Sequence, residues 1–203
     1  MELLAGPDLA ALASAWIAER ASRSDPFRIA LAGGSTPRPT YERLAERPLR
    51  WESWHVWWGD ERLVPPGHPG SNERLAREAL LSRVPIPEGQ IHPLRSEDVE
   101  LPDRFDLVLL GIGSDGHTAS LFPGDPALEE RERPIVRVAR PDHPRLTLTY
   151  PVLDAARAVA FLVAGAAKRE ILARVLAGDE SLPAARVRAE ETVVLADGDA
   201  AGR

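Results

Sequence analysis

The segment Gly111-Ile112-Gly113-Ser114-Asp115-Gly116-His117-Thr118-Ala119-Ser120-Leu121-Phe122-Pro123 carries the densest chemistry in this 203-residue chain. His117 follows Asp115 by two residues inside a glycine-punctuated run. An imidazole titrates near neutral pH, and a neighbouring carboxylate can orient it, so the pair suits general acid–base work. Gly33-Gly34-Ser35-Thr36-Pro37 joins backbone that a ligand can approach closely to two hydroxyls, a composition suited to an anion. A tight turn with a helix cap would account for Ser35 or Thr36, but not for the double glycine as well. The run is not a Walker A loop, because no lysine follows the glycines. Asp60-Glu61-Arg62 brings two carboxylates and a planar guanidinium that fits a phosphate or a developing oxyanion. Lys168, within Gly165-Ala166-Ala167-Lys168-Arg169-Glu170, is the single lysine among 25 basic residues. The chain uses arginine as its generic surface cation. A lysine in the first turn of a helix opposes the macrodipole, and an anion beside it would remove that objection.

Other chemistries find less support. Ser114 and Ser120 lie near His117, but neither sits in a G-x-S-x-G elbow, so a serine acyl-enzyme is not expected. No cysteine is present, which excludes thiolate catalysis and cysteine-bound zinc. His55, His68, His92 and His143 are scattered, with no pair at i, i+4 on a helix, so no metal site is expected and these four read as surface or loop residues.

The elements that must position these groups follow from apolar periodicity. Runs at 27–32, 54–58, 105–110, 158–164 and 192–196 read as strands. Residues 10–21, 37–46, 71–82 and 167–176 read as helices, the second opening after Ser35 and Thr36 as capping residues, the last ended by Gly178. Residues 60–70 read as a loop. Residues 135–139 and 146–150 alternate, and the stretch 131–150 suggests a small antiparallel edge hairpin. Strands alternating with helices predict a doubly wound, mostly parallel α/β sheet with helices on both faces, a Rossmann-like three-layer arrangement, in a single domain over 1–203. Ligands bind such sheets at the carboxyl ends of the strands, where Gly33 to Pro37, Gly59 to Arg62 and Gly111 to His117 fall.

Composition bounds the partners. Hydrophobic residues make up 44% and charged residues 28%, enough for a core without disulfides. The net charge of −6 argues against a nucleic-acid partner. No apolar run approaches the roughly 20 residues of a membrane span. Met1 to Ala15 carries Glu2 and Asp8 and no basic region, so it does not read as a secretory signal. A cytoplasmic protein is expected.

Taken together, GGSTP, GDERLVP followed by SN, GIGSDGHTASLFPG, RLTLTYPVLDAA and AGAAKREIL resemble the glucosamine-6-phosphate isomerase/6-phosphogluconolactonase superfamily. The matching segments run from about Leu31 to Leu176. Within it the deaminase branch has a glutamate where this chain has Phe122, whereas TASLFPG resembles the lactonase branch; Asp154 departs from the asparagine common there. The resemblance implies hydrolysis of 6-phospho-D-glucono-1,5-lactone, with a phosphorylated sugar lactone as small-molecule partner and no cofactor. It implies a phosphate held by Gly33, Gly34, Ser35 and Thr36 with Lys168 and an arginine, Arg145 being one candidate. His117 becomes general base, Asp115 its orienting partner. Arg62 is left to either the oxyanion or the phosphate, and Asp60 to positioning Arg62 or the substrate hydroxyls. Nothing in the sequence fixes the assembly beyond a monomer or small homo-oligomer.

Overall fold

The computed structural model describes residues 1–65 and 67–203. Its main sheet has six parallel strands: β1 (Glu2–Gly6), β2 (Phe27–Leu31), β3 (Trp54–Trp58), β5 (Leu107–Leu110), β8 (Ala158–Val163) and β9 (Glu191–Asp197). They lie in the order β1-β9-β8-β5-β2-β3. The central strands LVLL and AVAFLV are buried at every position, as strands covered on both faces must be. Helix α1 (Leu9–Ala21) connects β1 to β2; the Asp8 carboxylate accepts from the Ala11 N–H at 2.9 Å, and Leu9, Ala13, Trp16 and Ile17 face the core. Helix α2 (Arg38–Leu44) connects β2 to β3 and packs on α1. Helix α5 (Arg169–Leu176) connects β8 to β9 and packs on α6 (Gly198–Ala201).

The winding direction locates the ligand end. From β2 the chain moves outward to β3, whereas from β5 it moves the other way, to β8 and then β9. Right-handed crossovers therefore place α2 and α5 on opposite faces. The turning point lies between the neighbours β2 and β5, and the crevice outside their carboxyl ends is where such sheets bind ligands.

A second sheet stands beside this crevice. Strands β4 (Asp60–Arg62), β7 (Arg145–Leu148) and β6 (Ile135–Val138) run antiparallel in the order β4-β7-β6. The predicted hairpin forms, but it is not an edge of the main sheet. It pairs instead with residues 60–62, which were expected to be loop. Gly59 links the sheets: its N–H donates to Leu31 O at 2.9 Å, and its carbonyl accepts from Leu148 N–H at 2.9 Å.

Smaller corrections have local causes. Helix α2 begins at Arg38 behind Pro37, with no side-chain cap, so Ser35 and Thr36 do not cap it and their hydroxyls stay free of that duty. The strand expected to reach Tyr150 ends at Leu148, and α4 (Tyr150–Ala155) starts there with Pro151 in its first turn. Asp154 lies in α4 and accepts from the Arg188 N–H at 2.7 Å. Helix α3 (Asn72–Ala79) opens where expected, with Ser71 Oγ accepting from Arg74 N–H at 3.1 Å, and stops short of Ser82. Strand β1 was not predicted; it pairs with β9 from Glu2↔Val193 to Gly6↔Asp197. Among the described residues no helix is long and apolar enough to cross a membrane.

Candidate active site

A cleft of about 340 Å³ opens at the turning point, within the size range of small-ligand sites. Gly33, Gly34, Ser35, Thr36, Asp60, Arg62, His117, Arg145 and Lys168 all line it. Of the predicted site residues only Asp115 does not, and it touches His117 from outside.

His117 is held at three points. Its Nδ1 lies 2.6 Å from Asp115 Oδ1, and its backbone N–H donates to the same oxygen at 3.1 Å. Burial pushes the Asp115 carboxyl up, but these bonds outweigh it and leave the group below its ordinary value, hence ionised. A carboxylate only accepts, so Nδ1 carries a proton, and in the neutral ring the lone pair falls on Nε2. The Phe122 ring lies 4.4 Å from the imidazole, centroid to centroid, tilted 35°. The turn is closed by Gly113 N–H on His117 O at 2.8 Å. A Cβ on Gly113 would overlap the imidazole and the Asp115 carboxylate, so only glycine fits. Just beyond, Ala119 is the one non-glycine residue among those described with positive φ, at 48°. A strained backbone of this kind costs of order 1 kcal/mol and clusters at functional sites.

Asp60 and Glu61 separate into different tasks. Asp60 faces the cleft; its carboxylate accepts from Ser120 Oγ at 2.6 Å and from Asn72 Nδ2 at 3.1 Å. Glu61 turns away and is buried. Its carboxylate accepts four bonds, from the N–H groups of Arg62, Asn72 and Glu73 and from the Ser71 hydroxyl, at 2.7 to 3.0 Å. Burial raises its pKa against the pull of those donors. Glu61 thus clamps the start of α3 to β4. Ser120 is buried and committed to Asp60, and Ser114 is exposed; neither is bonded to His117.

Asn72 is the residue sequence reasoning missed. It is buried, lines the cleft, and donates to both the carbonyl and carboxylate of Asp60. Its carboxamide lies where a Cβ on Gly33 would be, so that glycine is needed for close approach. The available signal was Ser71-Asn72 directly after the DER run. Tyr41 fixes the same loop from below: its buried hydroxyl accepts from Ala32 N–H at 2.9 Å and donates to Ala32 O at 2.7 Å.

Three cations face the cleft. Lys168 precedes α5 and donates to Ile112 O at 2.7 Å. Arg62 donates to Gly70 O at 2.8 Å. Arg145 pairs with Asp142 at 2.8 Å. The remaining histidines lie away from the cleft in two pairs, His55 with His92 and His68 with His143. Among the described residues no group of three or more His, Asp or Glu side chains is placed to hold a metal ion.

The fold and this cleft define an α/β protein with a cation-lined cleft at a topological switch point. The chain belongs to the glucosamine-6-phosphate isomerase/6-phosphogluconolactonase family, whose model matches residues 5–195. It is 46% identical over 170 residues to a 6-phosphogluconolactonase of Synechocystis sp., covering 73% of this chain and 71% of that protein. It is 47% identical over 172 residues to a 6-phosphogluconolactonase of Nostoc sp., covering 74% and 72%. The crystal structure of 6-phosphogluconolactonase from Thermotoga maritima superposes with a TM-score of 0.85 at 33% identity, covering 97% of this chain and 99% of that one.

Proposed function

We propose that this chain hydrolyses 6-phospho-D-glucono-1,5-lactone to 6-phospho-D-gluconate, the lactone-opening step of the oxidative pentose phosphate pathway. The observation that carries the reading is the His117–Asp115 pair at the carboxyl end of β5, engaged through Nδ1, in a cleft whose cations outnumber its carboxylates. The phosphate rests on Gly33 to Thr36 and Lys168, which holds C1 beside the base. His117 Nε2 takes a proton from water as the water oxygen attacks C1. The carbonyl electrons move to oxygen, and Arg62 stabilises that oxyanion. The intermediate collapses, the C1–ring-oxygen bond breaks, and the imidazolium returns its proton to the departing oxygen as the C5 hydroxyl. The new acid at C1 then ionises. Asp115 keeps the imidazole in the required tautomer, while Asp60, fixed by Ser120 and Asn72, orients substrate hydroxyls. An ester carbonyl is already electrophilic, so the scheme uses neither metal nor organic cofactor.

Phe122 favours this reaction over deamination, because a phenyl ring against His117 cannot relay protons. The reading extends to one functional unit over 1–203, a cytoplasmic setting consistent with a cysteine-free chain, and a monomer or small homo-oligomer. The test is the rate on freshly prepared lactone with spontaneous hydrolysis subtracted, for wild type and His117→Ala. A fast wild type and a variant slower by 10² to 10⁴, roughly, are expected. A wild type no faster than buffer would sink the reading; a fast variant would remove His117 from its role.

A further inference from the structure

The β4–β7 ladder forces like charges together inside the cleft. Arg62 and Arg145 are directly opposite in its register, and both line the cavity. Two cations facing each other across a ladder repel, so the arrangement is costly unless an anion lies between them. Among the described residues only one local carboxylate, Asp142, forms an ion pair with either arginine, and it reaches Arg145 alone. Glu61 is consumed by the start of α3, and Asp60 by Ser120 and Asn72. Arg62 has no ion pair among the described residues, and its recorded side-chain bonds are to Gly70 O and, at 3.5 Å, to Asn72 Oδ1. Arg145 spends one nitrogen on Asp142, but its Nε is buried without a partner, in a side chain only 12% exposed. The pair belongs to the His117 end: the Arg145 guanidinium lies 5.5 Å from the centre of the Phe122 ring, which also meets the imidazole and, at 3.8 Å, the Arg140 guanidinium.

We infer that Arg62 and Arg145 form a carboxylate subsite, distinct from the anion loop Gly33 to Thr36. The cleft then prefers open-chain phosphorylated aldonic acids, which carry an anion at each end, over polyol phosphates of the same length with no carboxylate. The identity of the acid rests on the lactonase reading. Ring opening converts an uncharged C1 into a carboxylate at the place where two guanidinium forks converge, and such charge-assisted bonds are among the strongest available. The product is held more firmly than the substrate's C1 end, and it competes with fresh lactone.

The experiment is calorimetric titration of the whole protein with 6-phosphogluconate and, separately, with glucitol 6-phosphate, with lactone hydrolysis assayed in parallel. The acid should bind at least about tenfold more tightly. Arg145→Gln should bring the two within about twofold by weakening the acid alone; unchanged glucitol 6-phosphate affinity reports an intact fold. Arg62→Gln gives the same test if the first variant does not fold. Equal affinities in the wild type, or a preference that survives both substitutions, would overturn the subsite. Preference for the acid without lactone hydrolysis would support the subsite and remove the functional reading instead.

Discussion

Two clefts, each near 340 Å³, lie at opposite ends of the same parallel strands. One is the site described above. The other is lined by Arg28, Glu100, Leu101, Pro102, Asp103, Arg104, Asp106 and Arg157, where β2, β5 and β8 begin. Size does not separate them, but charge does. At the beginnings of the strands three arginines meet three carboxylates. Arg157 lies 3.6 Å from Asp106, Arg104 pairs with Glu190, and Asp106 also accepts from Arg28 N–H at 2.8 Å. At the carboxyl ends Arg62, Arg145 and Lys168 line the cleft with one carboxylate, Asp60; Asp142, outside the lining, pairs with Arg145, so Arg62 and Lys168 are left without an ion pair among the described residues. A protein of net charge −6 thus leaves a local positive excess where an anion would bind. Uncompensated charge, rather than concavity, marks the functional end.

That contrast can be broken by removing one cation from each end. Lys168→Ala should lower kcat/KM on the phosphorylated lactone by about 10- to 100-fold, with little effect on unphosphorylated gluconolactone. Arg104→Ala, at the neutralised end, should change either rate by less than about twofold. Equal losses would mean that charge balance does not distinguish the clefts. A second test sharpens the role of Glu61, which could have neutralised Arg62 but serves backbone donors instead. Glu61→Gln replaces one acceptor oxygen with a donor among buried N–H groups and should cost about 2 kcal/mol in urea unfolding. The smallest effect concerns Asp115. Its folded pKa lies below the ordinary value, so its contribution is present above the unfolded value and lost as pH falls through the folded one. The stability gap between wild type and Asp115→Asn should narrow from pH 6 to about pH 3. The carboxylate is half exposed, so the gap is small even at pH 6.

What could be read from the sequence depended on how local each signal was. The runs LVLL and AVAFLV declare buried strands because continuous apolar sequence has no other economical place. His117, the GGSTP loop and Lys168 could be found because each departs from its immediate context. Strand β4 could not: three polar residues become a strand only by pairing with β7, far along the chain. Strand β1 is a short edge strand whose partner is β9, near the other end of the chain, and ELLAG alone does not announce it. Asn72 and Glu61 act through tertiary packing onto Gly33 and the start of α3, which no spacing reveals. The opposition of Arg62 to Arg145 is a matter of register, and register appears only once the two strands are paired.

Lys168 also bears on chemical labelling. As the only lysine in the sequence, it offers the only side-chain amine, and that amine lies in the cleft. An acylating reagent directed at lysine therefore has a single side-chain target, which is also the cation proposed to hold the phosphate. Occupancy of the cleft can be read as protection of one residue against modification, without following the reaction at all.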